Sequence, residues 1–320
     1  VPPAFRERGY RVSLAYETGE HVLVARERST TVDSVPWLNV ALFLATVGTT
    51  LYAGAQWYGR DPGDPAGLLA AWPFTVAVLG PLAVHEFGHY VASRYHDVEA
   101  SLPYFVPVPT ALGTLGAVIR MRDHLPDREA LFDIGVAGPL AGLVATVGVT
   151  AVGVSLPPVD VSGAGAFAFP RRYDLGYPPL VQAVALVLGE PLGYADPDLA
   201  VNPVLVGGWV GAFVTFLNLI PVGQLDGAHV ARALVGERVE RLRYVVPAAL
   251  FGLAGALVVF AGGRSVGIWA VWGFLTLLVG RAGTATPLSD EPVGRRRQLL
   301  GAVTLVLGLC CFTPMPIVVT

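Results

Sequence analysis

His85-Glu86-Phe87-Gly88-His89 is the stretch whose residue types and spacing could do chemistry. On a helix, positions i and i+4 share a face, so two imidazoles one turn apart can grip one metal ion with a carboxylate beside them. This H-E-x-x-H spacing suits a zinc ion that activates a water, with the glutamate as its base. The eighteen residues before it, Gly67 to Val84, carry no charge. Two histidines and an acid at membrane depth would cost several kcal/mol unless something binds them, so a metal site is expected rather than a set of buried structural side chains.

The elements that must position this turn are membrane helices. The 320 residues are 53% hydrophobic and 14% charged, and the mean hydropathy is +0.58, which places the chain outside the soluble globular class. A net charge of -3, with 21 arginines scattered among the connections and no lysine, gives no footprint for nucleic acid. Cys310 and Cys311 are adjacent in an apolar run, where they read as packing residues rather than a clamp or a metal pair. The chain opens on Val1, so a preceding portion is expected to be missing, and no signal-peptide pattern is visible.

Tyr10 to Arg28 alternates around Thr18-Gly19 and is expected to form a hairpin outside the membrane with a solvated, charged surface. Apolar runs follow at 35–58, 67–95, 131–156, 203–222, 244–262, 265–280 and 298–318. The expected fold is therefore an all-α polytopic membrane protein of about six or seven spans. A small membrane-associated β-hairpin or loop is expected between the second and third spans. Of the 21 arginines, 17 fall on one side of this topology, which puts the N-terminus in the cytoplasm. The expected organisation is a cytoplasmic N-terminal hairpin segment (1–34), a catalytic core (35–235) and C-terminal transmembrane helices (236–320).

The topology also sets depth. His85 lies about 27 Å along the second span from Gly67, towards the cytoplasm. The fourth run points the same way and ends in Asn218-Leu-Ile-Pro221-Val-Gly-Gln224-Leu-Asp226-Gly227, which brings Asp226 to a similar depth as a candidate third ligand. His229, three residues on, is a competing donor.

HEFGH on one span, Gly138-Pro139-Leu140-Ala141-Gly142 on the next and N-x-x-P-x-x-x-L-D-G on a later one resemble the site-2 protease family of intramembrane zinc metalloproteases. The resemblance covers about residues 67 to 235. The Leu102–Arg122 segment, Gln224-Leu225-Asp226-Gly227 and Arg295-Arg296-Arg297 are most similar to its plant-plastid and cyanobacterial branch. Neither the PDZ module nor the CBS tail of other branches is visible. The resemblance implies one zinc ion held by His85, His89 and Asp226, Glu86 as catalytic base, and transmembrane proteins in the bilayer as substrates.

Around that centre, Asn218 is expected to contact the oxyanion or the substrate backbone. Pro221 should open its span just before Asp226, and Pro81, four residues before His85, should open the other. Pro103, Pro107 and Pro109 exclude a helix after the second span. From Gly113, a second candidate substrate or oxyanion contact, Thr114 to Arg122 alternates, with Leu115, Ala117, Ile119 and Met121 on one face. Such an edge could hold a substrate extended by strand addition. His21, His96 and His124 are expected to be exposed, and Asp127, Glu129 and Asp133 to serve a helix dipole. Leu180 to Leu188 is spaced as an interfacial amphipathic helix. Two rivals stand beside this reading: a polytopic H-E-x-x-H peptidase acting on soluble or prenylated tails, with a glutamate as third ligand, and a non-catalytic metal-binding transporter or scaffold.

Overall fold

The computed structural model describes residues 5, 8–17, 20–27, 35–121, 125–163, 169–171 and 173–319. Arg6, Glu7, the Thr18-Gly19 tip, Arg28, Arg122, His124 and Arg172 lie outside the described residues. The chain forms two compact units, Val1–Leu38 and Asn39–Thr320. In the first, β1 (Tyr10–Glu17) pairs antiparallel with β2 (Glu20–Glu27), from Tyr10 opposite Glu27 to Glu17 opposite Glu20.

The second unit is mostly helical. It takes all but the first two residues of α1 (Trp37–Trp57), then α2 (Pro65–Leu69) and α3 (Trp72–Tyr95), followed by β3 (Tyr104–Pro107) paired with β4 (Thr114–Val118). Next come α4 (Arg128–Ser155), β5 (Val159–Asp160), β6 (Tyr173–Leu175), α5 (Pro179–Leu188) and β7 (Leu199–Ala200). The chain continues with α6 (Pro203–Asn218), α7 (Asp226–Val235), α8 (Leu242–Phe260), α9 (Val266–Arg281), α10 (Arg295–Cys310) and β8 (Ile317–Val319). Caps fix the starts: Asp127 accepts from the Ala130 amide at 2.8 Å, and Asn202 from that of Val204 at 3.1 Å.

Among the described residues, four helical stretches are long and apolar enough to cross a membrane: Trp37–Trp57, Pro65–Tyr95, Arg128–Ser155 and Asp226–Phe260. The apolar runs 203–222, 265–280 and 298–318 instead give 16-residue helices. Each is about 24 Å long, against roughly 30 Å of hydrocarbon. Two of them stop short of their runs for a visible reason. Pro221 lies just beyond the last turn of α6, and Pro314 and Pro316 lead the last run into β8.

The centre of the bundle is α3, α4 and α6, packed through small residues. A Cβ on Gly207 would lie 2.5 Å from Ala77 of α3, and one on Gly153 would lie 2.5 Å from the Leu205 amide. Gly208 and Gly211 face the Thr150 and Thr146 hydroxyls. Lipid gives helices no hydrophobic reason to associate, so close backbone approach supplies the packing attraction. That offsets the cost of helical glycine, about 1 kcal/mol against alanine. Phe74 and Trp209 are fully buried in this core.

The β3–β4 hairpin is attached to α1 by separate polar contacts. Asn39 Nδ2 donates to the Leu102 and Pro103 carbonyls at 3.0 and 2.9 Å, and Thr49 Oγ1 to that of Gly113 at 2.6 Å. Trp57 Nε1 donates to the Ala111 carbonyl at 2.8 Å, and Phe43 meets Phe105 edge-on at 5.2 Å. These contacts run along most of α1. Within β4 the expected alternation breaks: Leu115 is 73% exposed, whereas Ala117, Ile119 and Met121 are half-buried. Gly116 at φ +108° shifts the phase between them.

Two ion-pair groups clasp the ends of the helices. Arg297 of α10 forks onto Asp133 at 2.8 and 2.9 Å and reaches Glu129 at 2.8 Å, while His96 Nε2 lies 2.9 Å from Asp133. His96 is thus half-buried and paired rather than exposed, because the end of α3 abuts the start of α4. Asp133 is an ion-pair hub rather than a dipole residue alone. In the second group, Asp290 accepts from Arg128 at 2.8 and 3.0 Å and lies 3.4 Å from Arg232.

Candidate metal centre

His85, Glu86 and His89 sit in one turn of α3, and all three are buried. Glycines bring α4 against them. A Cβ on Gly142 would lie 2.9 Å from that of His85, one on Gly138 would overlap the His89 ring, and one on Gly88 would lie 2.6 Å from the Ala137 carbonyl oxygen. The one-turn spacing of the two histidines is thus matched by the one-turn spacing of Gly138 and Gly142. This pairing was invisible in the sequence, although the glycines themselves were not.

Asp226 arrives from a different element. α6 ends at Asn218, the chain stays non-helical through Leu225, and α7 begins at Asp226 itself. The expected opening at Pro221 is present. The one expected at Pro81 is not: α3 runs through it without a break. Proline removes one N–H from the ladder, but Pro81 is buried, and packing keeps the remaining helical bonds in place.

The three donor atoms converge. Asp226 Oδ2 lies 3.0 Å from His85 Nε2 and 3.2 Å from His89 Nε2, and the two nitrogens are 3.1 Å apart. His89 Nδ1 lies 2.8 Å from the Ile134 carbonyl, to which it donates, so the lone pair on Nε2 faces the cluster. Three lone-pair atoms this close, with a tautomer fixed from behind, suit a cation. Tetrahedral zinc with bonds of 2.0–2.2 Å separates its ligands by about 3.3–3.6 Å, so the donor set fits that ion once the side chains part by a few tenths of an ångström.

A cavity of about 150 Å³ opens on the cluster, lined by Glu86, Asn218, Leu225, His229 and the Ala117–Ile119 strand segment. It has room for several waters. Glu86 accepts a hydrogen bond from the backbone of Ile119, and Asn218 Nδ2 lies 3.2 Å from His85 Nε2. His229 is buried, and its Nε2 has no hydrogen-bond partner among the described residues. The donor group is nevertheless His85, His89 and Asp226. Gly113 is not at this cavity. At φ +77° it lies on the backbone of Thr50, where any side chain would collide.

A family model, peptidase family M50, matches residues 73–262, which include every residue of the cluster. The chain belongs to peptidase family M50. Among curated proteins, this M50 chain is 30% identical over 300 residues to "Probable zinc metalloprotease EGY1, chloroplastic" of Arabidopsis thaliana, covering 86% of the chain and 52% of that protein. It is 31% identical over 315 residues to the protein of the same name from Oryza sativa subsp. japonica, covering 89% and 52%. It is 29% identical over 294 residues to "Probable zinc metallopeptidase EGY3, chloroplastic" of Arabidopsis thaliana, covering 87% and 49%. The chain spans about half the length of these relatives, all of the plastid type.

Proposed function

We propose that this M50 chain is an intramembrane zinc metalloendopeptidase that hydrolyses peptide bonds in or beside transmembrane segments of membrane proteins. The observation that carries the reading is the convergence of His85, His89 and Asp226 next to Glu86 and a water-sized cavity. Those three residues would hold one zinc ion, which when bound supplies a Lewis acid that makes water a usable nucleophile at neutral pH. Glu86 takes the proton of the attacking water and hands it to the leaving amine. Asn218 offers an amide to the carbonyl oxygen or the substrate backbone. The Ala117–Ile119 segment borders the same cavity and can present a strand edge to an extended substrate, because a helical one hides its peptide bonds.

The short helices α6, α9 and α10 are proposed to complete a bundle of six or seven crossings around core 35–235. Segment 236–320 forms the C-terminal helices. The arginine-rich side, the N-terminal segment 1–34 and the metal site would face the cytoplasm.

The test is metal analysis together with cleavage of a tagged transmembrane substrate. Glu86→Gln should retain zinc and lose cleavage by at least about 10³-fold, since base and nucleophile activation fail together. Asp226→Ala should lose the zinc. Metal retained in Asp226→Ala would instead favour a peptidase whose third ligand lies elsewhere.

A further inference from the structure

We propose that a second cavity, at the Trp57 end of α1, binds an organic cation through an ammonium or guanidinium group. The cavity has a volume of about 400 Å³ and shares no lining residue with the one at the metal centre. The residues that line it include the aromatics Trp57, Tyr173, Tyr177 and Tyr194 and the acids Asp174 and Asp196, and none of the described lining residues is basic.

Each wall has a distinct origin. Trp57 ends α1, and its indole N–H is already donated to Ala111, so it offers the cavity π surface alone. Tyr173 stands beside it with ring centroids 6.4 Å apart, and β6 is held by β8 through Tyr173 opposite Val319 and Asp174 opposite Val318. Tyr177 makes no side-chain hydrogen bond to a described residue. Burial and the nearby Asp174 carboxylate raise its pKa, so the hydroxyl stays a neutral donor and acceptor. One oxygen of Asp196 accepts from the Asp198 amide at 2.9 Å, leaving the other for a ligand.

Aromatic faces are electron-rich and attract cations, most strongly where carboxylates add negative charge and water is partly excluded. A bare metal ion fits less well. Among the described residues, His85, His89 and Asp226 are the one group with metal-ligand convergence, and Asp174 and Asp196 have no third donor of that kind. The volume suits a group the size of a guanidinium with its stem.

The position gives the site a route to the chemistry. Gly54 of α1 packs against Phe74 near the start of α3, so closely that a Cβ there would lie 2.9 Å from the ring, and His85 lies eleven residues further, about 16 Å along the helix. Trp57 also holds the hairpin that borders the metal cavity. The cation could be a free amine or quaternary ammonium, or the arginine of a bound polypeptide segment.

The experiment has two arms, both on the full chain in detergent. In the first, tetraethylammonium and arginine methyl ester are titrated with saturation-transfer NMR as readout, which requires no peptidase activity. Both should bind. The Asp174→Asn/Asp196→Asn double variant should weaken binding about tenfold or more, and Tyr177→Phe by a few-fold should the double variant fail to fold. Absence of binding at millimolar probe, or equal binding by wild type and variants, overturns the proposal.

The second arm compares cleavage of model substrates carrying Arg or Gln at the membrane end nearest Trp57. If a side chain is the cation, KM for the Arg substrate should be about tenfold lower, and the advantage should vanish in the double variant while the Gln substrate is cut as before. Equal KM values with both probes still bound assign the site to a free cation. Bound probes without any cleavage overturn the peptidase reading alone.

Discussion

Two contacts flank the metal centre, and they are built differently. On one side, α3 meets α4 backbone to backbone through Gly88, Gly138 and Gly142, so a single methyl group would strike a ligand histidine or its helix. On the other, the β3–β4 hairpin reaches α1 mostly through side chains, with hydrogen bonds from Asn39, Thr49 and Trp57 and the edge-on Phe43–Phe105 contact, and comes close to its backbone at Gly113 against Thr50. The first contact has one workable geometry, because a packed interface cannot yield gradually. Away from Gly113, the second can lose one side-chain hydrogen bond and keep the others. The two histidines of the candidate metal centre sit on the unyielding side and the proposed substrate edge on the adjustable one, an arrangement consistent with the proposed peptidase.

The sharpest way to break this comparison is Gly138→Ala. The new methyl would overlap the His89 ring and push it off the cluster. Displacing one of three ligands should lower metal affinity at least 10- to 100-fold, the range seen when groups supporting a ligand are disturbed, and cleavage should fall with it. Zinc content by elemental analysis of the purified protein decides the matter: a full complement of metal in Gly138→Ala would show that α4 does not set the ligand geometry.

The opposite contact should respond more mildly. Asn39→Ala removes both bonds to the start of the hairpin, and Trp57→Phe removes the one near its tip. A net hydrogen bond contributes about 0.5–1.5 kcal/mol, so kcat/KM should fall roughly 2- to 12-fold per bond lost from the active geometry. Zinc should be unchanged. Faster amide exchange over residues 104–118 should accompany the loss; metal released in step with activity would erase the distinction between the two sides.

The same distinction explains what the sequence could reveal. HEFGH and the Leu-Asp-Gly turn are local patterns, so His85, His89 and Asp226 could be read as candidate ligands from the sequence, and the structure brings these three side chains together. Helix existence followed from apolar runs. What Gly138 and Gly142 do is a property of two helices at one crossing, which no single run encodes. Gly116 shows a related limit: its positive φ shifts the phase of β4, and strict alternation therefore put Leu115 on the wrong face. Gly113 read as a possible substrate contact because it heads an extended stretch, whereas its neighbours in space, Thr49 and Thr50, are more than sixty residues earlier. His96, Asp133 and Arg297 likewise look like separate surface charges until α10 returns to α4.

The smallest effect belongs to the clasp furthest in kind from both contacts. Asp290 lies in the connection between α9 and α10, half exposed, and faces Arg128 and, more distantly, Arg232, which also lies 3.9 Å from Glu237. The Arg128 guanidinium holds the Asp290 carboxyl below its ordinary pKa. A carboxylate depressed in the folded state stabilises the fold above its unfolded pKa, and that contribution fades as pH falls through the folded value. Lowering the pH from neutral into the carboxylate range should therefore reduce the Tm of the wild type more than that of Asp290→Asn, which has no proton to take up there. Because the Asp290 side of the pair is half exposed while Arg128 is buried, the difference should shrink only partly in high salt. Zinc content and cleavage at neutral pH should stay at wild-type levels in Asp290→Asn. A loss of metal in that variant would mean that the α9–α10 connection, and not α3 and α4 alone, holds the ligand helices in place.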